Sequence, residues 1–291
     1  MKQRNYQNNK HLGKDLTLML TFEIIFFSLL LFFAEGHASL KIQDLPSTII
    51  RGPDAELDHP EGCAFSPSGD YIAVANLFND SVTFYRRIGH EGVHYETTPS
   101  FSIKGTNSKL KGPHDVAFSP DGNYIAIANR GNHSITIHKK NTIKNTYSIS
   151  PVAEIKGKKS QLQEPNSVRY LPSGGMIAVV NASSNTITFY RYQRERYDQK
   201  PYQVIQNTQD VLWRPNGVDI SNDCNFLAIT SRKTHAVLIY QRVPNSADTY
   251  TDYPIQILQG SESNLVDTHS LCFHPNNPCV SGCHIIQLEL D

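Results

Sequence analysis

One motif recurs five times along this 291-residue chain. The copies read HPEGCAFSPSGDYIAVAN from His59, GPHDVAFSPDGNYIAIAN from Gly112, EPNSVRYLPSGGMIAVVN from Glu164, RPNGVDISNDCNFLAIT from Arg214 and DTHSLCFHPNN from Asp267. The residue after each Pro or Thr is Glu61, His114, Asn166, Asn216 or His269, at intervals of 53, 52, 50 and 53. A period near 50 with strand-like content points to stacked small sheets, because one such unit cannot bury both of its faces alone. The expected fold is all-β: a β-propeller of four-stranded blades over residues 45–275, its last repeat incomplete.

The second repeat shows how a blade is written. Asp115–Phe118 reads as a short strand, followed by the turn Ser119-Pro120-Asp121-Gly122, in which Pro presets φ and Gly accepts positive φ. Tyr124–Asn129 alternates as a second strand, and Ser134–His138 follows a further turn as a third. Corresponding third strands are Ser81–Tyr85, Thr186–Tyr190 and Ala236–Tyr240. A fourth, outer strand runs Pro99–Gly105, Pro151–Gly157, Pro201–Asn207 and Pro254–Gly260, where Pro is tolerated at an edge. Between third and fourth strands the chain is polar and variable, as in Arg86–Thr98 and Arg191–Lys200, and reads as loop.

Leu45–Gly52 carries the same Pro-to-Gly step and is expected to be a fourth strand without a blade of its own. Such a strand closes a ring when the C-terminal end supplies the other three. Past Pro275 the repeat dissolves, so residues 276–291 read as a divergent tail, consistent with a truncated or frameshifted reading frame.

Ahead of the repeats, Lys2, Arg4, Lys10 and Lys14 precede an apolar run from Ile24 to Ala34, then Gly36-His37-Ala38. A run of eleven residues suits a signal h-region better than a bilayer span, so residues 1–38 are expected to be a signal peptide or N-terminal membrane anchor. Either reading places the repeats outside the cytoplasm, periplasmic, secreted or anchored, and the membrane is met only through that segment. Lys plus Arg equals Asp plus Glu at 27 each, so no net charge draws the chain to nucleic acid. The five cysteines are too unevenly spread for a disulfide framework. Cys63, Cys224 and Cys272 read as small buried apolar residues, and Cys279 and Cys283 as a pair able to bridge.

The stretch FSPDGNYIAIAN, Phe118–Asn129, followed by NHSITI, resembles the lactonase-type and YVTN-type β-propellers, and Phe65–Asn76 is nearly as close. That resemblance covers about Leu45 to Pro275 and implies sugar-lactone hydrolysis, although the turn itself performs no chemistry.

If the repeats close round an axis, Glu61, His114, Asn166, Asn216 and His269 precede the innermost strands and rim one mouth of the channel. A Glu61–His114 pair there can activate water as a general base. Alternatively, Glu61, Asn166 and Asn216 offer oxygens to calcium or another divalent cation. This set is similar to the gluconolactonase-like propellers, which use Glu, Asn and Asp from different blades; the Asp is missing here. A third possibility is that the rim is polar simply because it is wet. One step along the strand lie Ala64, Ala117, Arg169, Asp219 and Cys272, where Arg169 and Asp219 are expected to pair or Arg169 to order an anion. The flanking residues, Cys63 and Phe65 with their equivalents, are expected in the core. Two functions follow: a scaffold binding a protein, small-molecule or sugar ligand at its mouth and loops, or a lactone hydrolase, metal-assisted or not.

Overall fold

A computed structural model describes residues 48–273, apart from 90–93, 194–195, 208, 247 and 264. The expected signal or anchor segment (1–38), the tail (276–291), Cys279 and Cys283 lie outside the described residues. Among those residues there is no α-helix; the chain is strands joined by turns and single 3-10 turns.

Four blades follow one another in sequence. Blade I contains β1 (Pro60–Phe65), β2 (Tyr71–Asn76), β3 (Ser81–Ile88), β4 (His94–Tyr95) and β5 (Phe101–Ile103). Blade II contains β6 (Pro113–Phe118), β7 (Tyr124–Asn129), β8 (Ser134–Asn141), β9 (Thr146–Tyr147) and β10 (Ala153–Lys156). Blade III contains β11 (Pro165–Tyr170), β12 (Met176–Asn181), β13 (Thr186–Gln193), β14 (Arg196–Tyr197) and β15 (Gln203–Gln206). Blade IV contains β16 (Pro215–Ile220), β17 (Phe226–Ser231), β18 (Ala236–Gln241) and β19 (Gln256–Leu258). Each is an antiparallel meander whose third strand pairs with the outer strand. In blades I to III the third strand continues into a short hairpin with β4, β9 or β14, so the segments read as loop are partly strand. Buried tyrosines brace these hairpins: the hydroxyls of Tyr95 and Tyr147 donate to the carbonyls of Gly69 and Gly122, at 2.8 and 2.5 Å.

Local chemistry forms the repeated turn. Ser119 Oγ accepts from the Tyr124 N–H at 2.9 Å and donates to Asp121, while Asp121 Oδ1 accepts from the Asn123 N–H at 3.0 Å. Ser221 and Asp223 repeat this arrangement before Phe226. Each second strand of blades I to III ends on a fully buried Asn, whose amide donates to Thr83, Thr136 or Thr188 on the third strand at 3.0–3.2 Å. The amide oxygen of the same Asn accepts a backbone N–H from the segment leading into its own blade, from Asp58, Lys111 and Gln163. Apolar clusters fill the gaps between consecutive blades, as with Phe84, Val116, Ile125 and Tyr147 between blades I and II. The core therefore lies between sheets rather than at the axis.

Three expectations change. Residues 48–52 pair with no strand among the described residues, because an extended segment becomes a strand only beside a ladder partner; Gly52 still turns at φ +87° into a 3-10 turn, like Gly105 and Gly157. The fifth repeat supplies no described blade, only a segment whose Leu271 and Phe273 pack on Ala228, Val237 and Ile239 of blade IV. Phe65 is 61% exposed and Cys63 is exposed, as no described blade covers that face of blade I; Cys272 is exposed too, and Cys224 is half-buried in the turn position held elsewhere by Gly69, Gly122 and Gly174.

His138 stands where the other blades have Tyr85, Tyr190 and Tyr240. Its ring is fully buried, and burial pushes its pKa down to about 4 against hydrogen bonds that favour the charged form. The folded state thus binds fewer protons than the unfolded chain below pH 6.5, so this stability is present above 6.5 and lost as pH falls toward 4. The expected loss between pH 7 and pH 4 from this residue is about 3 kcal/mol. His138→Tyr should flatten that part of the acid-unfolding curve, with the new hydroxyl reaching the Ser108 carbonyl as Tyr85 reaches Ala55 and Tyr190 reaches Ser160. Urea titrations of both proteins at several pH values measure the difference.

Candidate functional site: the channel mouth

Blades I to III are each tied to the next blade, and blade IV to the fifth-repeat segment, by a turn side chain. Asp80 Oδ1, His133 Nδ1, Asn185 Oδ1 and His235 Nδ1 accept the backbone N–H groups of Gly112, Glu164, Arg214 and Asp267, at 2.7, 2.9, 2.8 and 2.9 Å. The accepting residues are all left-handed, with φ between 50° and 55°, and so are the donating ones, with φ between 46° and 54°. Among the eight only Gly112 is a glycine, so the others hold a conformation that costs an L-residue about 1–2 kcal/mol without such restraint. Pro or Thr follows each donor, and then comes the rim residue. The rim is therefore positioned by latches that span two blades.

The five expected rim residues do come together, as a blade-to-blade series. Glu61 Oε1 lies 3.2 Å from His59 Nε2, and Glu61 Oε2 lies 3.7 Å from His114 Nε2. His114 Nδ1 is 2.8 Å from the Asn166 carbonyl oxygen. Asn166 Nδ2 donates to Asn216 Oδ1 at 2.7 Å, and Asn216 Nδ2 is 2.9 Å from His269 Nδ1. His114, Asn166 and Asn216 are buried, with 8%, 6% and 5% exposure. Burial holds the His114 pKa below its ordinary value, outweighing the upward pull of Glu61 and Asp115; Arg130 adds to the downward push. A carbonyl oxygen only accepts, so His114 carries its proton on Nδ1 and turns a lone pair on Nε2 toward Glu61.

The cation reading does not fit these residues. Asn216 Oδ1 is already used by Asn166, Glu61 faces two imidazoles, and Asn166 Oδ1, which has no hydrogen-bond partner, is itself enclosed by protein. No cluster of three His, Cys, Asp or Glu side chains occurs among the described residues.

Below the rim, Arg169 does not pair with Asp219. Its Nη1 donates at 2.7 Å to Asp115 on the neighbouring blade, a residue whose importance is not apparent from the strand alone. Asp115 is 5% exposed; Oδ2 also accepts from Ser167 Oγ at 2.5 Å and the Val168 N–H at 3.2 Å, while Oδ1 accepts from its own strand at Val116. Burial works against the Arg169 charge, and the carboxylates of Asp115 and Asp219 outweigh it. Asp219 instead accepts the Phe273 N–H at 2.7 Å, with burial raising its pKa. A β-bulge at the start of each inner strand re-aims these side chains, as the register shift between Pro113 and Asp115 shows. The repeat column of Asp115 reads Gly62, Asp115, Ser167, Gly217, Ser270. Its small members were a usable signal: a Cβ on Gly62 would sit 2.7 Å from the His114 carbonyl and against Asp115 Oδ1. Gly62 is the room Asp115 needs.

Beside the rim, a cleft of about 520 Å³ opens between blades, lined by Phe78, Lys111, Arg130, His133 and Glu164 among others. Glu164 is shared by Arg130 and Arg214, at 3.6 and 3.7 Å, leaving one net positive charge in this trio.

Asp115→Ala should destabilise the protein by about 3–5 kcal/mol, because the Arg169 charge is left half-buried and unpaired. Ser167→Ala, which removes one neutral donor from the same carboxylate, should cost about 1 kcal/mol. Denaturant midpoints at constant m-value distinguish the two.

Residues 91–200 match the family model described as lactonase, 7-bladed beta-propeller, so the resemblance of the repeats to the lactonase-type propellers holds over that span. No curated protein matches the chain. Among solved structures, a candidate 6-phosphogluconolactonase from Bacteroides uniformis is 16% identical at a TM-score of 0.55, covering 74% of this chain and 60% of that one. Another from Bacteroides fragilis is 19% identical at 0.54, covering 74% and 60%. A protein of unknown function from Desulfotomaculum acetoxidans is 14% identical at 0.53, covering 74% and 62%. This chain thus spans about three fifths of the length of each, and at such identity the likeness shows the propeller fold alone.

Proposed function

We propose that this chain, whose repeats are of the lactonase propeller type, opens a sugar lactone by hydrolysis at the channel mouth. One observation carries the reading: His114 is buried neutral with its Nε2 lone pair beside Glu61, at 3.7 Å. That spacing is too long for a direct hydrogen bond and leaves room for a water that donates to both. His114 Nε2 takes a proton from this water as its oxygen adds to the lactone carbonyl carbon. The tetrahedral intermediate then collapses, the ring C–O bond breaks, and the leaving alkoxide takes the proton back from the imidazolium. The product is the open hydroxy acid. Glu61 stabilises the imidazolium while it exists.

The surroundings support a substrate class. The Arg130–Glu164–Arg214 trio carries excess positive charge, which favours an acidic substituent on the sugar. The 6-phosphogluconolactonase names of two structural relatives support a phosphorylated aldonolactone. No cation enters this mechanism, since the rim oxygens do not fit one. Export, read from the N-terminal segment, belongs to the same proposal, and the substrate would then be extracytoplasmic. A mouth that binds such a ligand without turning it over would be a scaffold, and the same experiment separates the two.

His114→Gln should lower kcat for 6-phosphogluconolactone about 10²–10⁴-fold, the usual contribution of a general base, with the far-ultraviolet spectrum unchanged. Glu61→Gln should lower it as well. Because burial depresses the His114 pKa, wild-type kcat/KM should stay level as pH falls through 6.5 and decline only below it. Lactone binding by calorimetry with no hydrolysis would favour the scaffold instead.

A further inference from the structure

Hydrogen-bond direction along the rim sets the protonation of two histidines oppositely. The Asn166 carbonyl oxygen only accepts, so His114 holds a proton on Nδ1, and in the neutral ring that its burial favours Nε2 is bare. Asn166 then donates its amide N–H to Asn216 Oδ1, which turns the Asn216 amide nitrogen toward His269. An amide nitrogen only donates, so His269 Nδ1 accepts and its proton resides on Nε2. The same two asparagines therefore leave a bare nitrogen on His114 and an N–H on His269.

Among the described residues, nothing accepts the His269 Nε2–H. Its nearest acidic neighbour, Asp267 Oδ2, is 3.8 Å away, beyond hydrogen-bond reach. Asp267 is engaged by Arg232 through both carboxylate oxygens, Oδ2 at 2.9 Å. The His269 side chain is 29% exposed, so a ligand in the mouth can reach it. His269 is joined to His114 through the hydrogen-bonded Asn166–Asn216 pair, so the two imidazoles end one continuous series on the rim.

We propose that His269, at the far end of the hydrogen-bonded series that begins at the base His114, donates its Nε2–H to the lactone carbonyl oxygen and stabilises the oxyanion. This role rests on the hydrolase reading above and names a second residue for it. Asn216 is then a positioning residue, because it selects the tautomer of His269.

Three measurements test this. Long-range ¹H–¹⁵N correlation spectra of wild-type protein should show His114 as the Nδ1–H tautomer and His269 as the Nε2–H tautomer. Asn216→Asp, which can only accept, should move the His269 proton to Nδ1 and lower kcat about 10²–10³-fold, the usual effect of losing one oxyanion donor. His269→Leu should lower kcat by the same factor with KM nearly unchanged, whereas His269→Gln, which keeps a donor, should recover at least a tenth of wild-type kcat. Should the Leu variant fail to fold, the Asn216→Asp spectrum and the Gln variant decide. A His269 found as the Nδ1–H tautomer in wild type overturns the proposal. So does a Leu variant with wild-type kcat, which leaves the His114 mechanism standing. A wild type that opens no lactone overturns the hydrolase reading itself, and the His269 role with it.

Discussion

The contact on which the rest of this molecule depends is the one between a turn side chain of each blade and a backbone N–H of the next. Asp80, His133, Asn185 and His235 each occupy a left-handed turn residue, and each receives an N–H from a left-handed residue just ahead of the following inner strand. The donors are half-exposed or exposed, so an unmade latch would turn its N–H to water, and each made one contributes about 0.5–1.5 kcal/mol. Made, it sets the angle at which the next blade begins. The buried Asn at the end of each second strand works with it. Asn129 holds the Lys111 N–H while Asp80 holds that of Gly112, so His114, a few residues on, has little freedom to move.

Polar groups in the mouth are consequently organised in two tiers of different character. The upper tier is a directional series of neutral amides and imidazoles, ending on a carboxylate at Glu61 and on His269 at the other end. The lower tier is a charged pair, Asp115 with Arg169, held between blades II and III by further donors to the same carboxylate. The lower pair anchors the inner strands against each other, while the upper series links the starts of successive inner strands through neutral hydrogen bonds. Under the proposed hydrolysis, stability and chemistry fall to adjacent layers of the same strands.

Strands were legible because their determinants are local. The Ser-Pro-Asp-Gly turn closes through bonds between residues at most five apart, such as Ser119 to Tyr124, and period-two alternation fixes which side chains go between blades. The column of rim residues was legible for a related reason: equal spacing along the chain becomes equal position around the axis. Legibility failed where a residue's state depends on something distant. Phe65 fits the core pattern and is exposed, because burial needs a neighbouring sheet and not only an apolar side chain. Leu45–Gly52 has the spacing of an outer strand, yet its described part is no strand without a ladder beside it. The hairpins carrying Tyr95 and Tyr147 were hidden in variable, polar sequence whose pairing is set by length rather than composition.

By itself, the sequence determined the repeat, its four-stranded unit, the turns and the identity of the five rim residues, all of which follow from interactions within about 50 residues of chain. Only the tertiary structure decided which partner each polar group takes. Arg169 and Asp219 occupy matching positions in successive repeats, but the bulge at the start of each inner strand brings Asp115 to the guanidinium instead. The protonation of His114 and of His269 was likewise invisible in the sequence. It is set by whether the nearest atom accepts or donates, and that atom comes from a residue 52 or 53 positions away, brought near by the packing of one blade on the next.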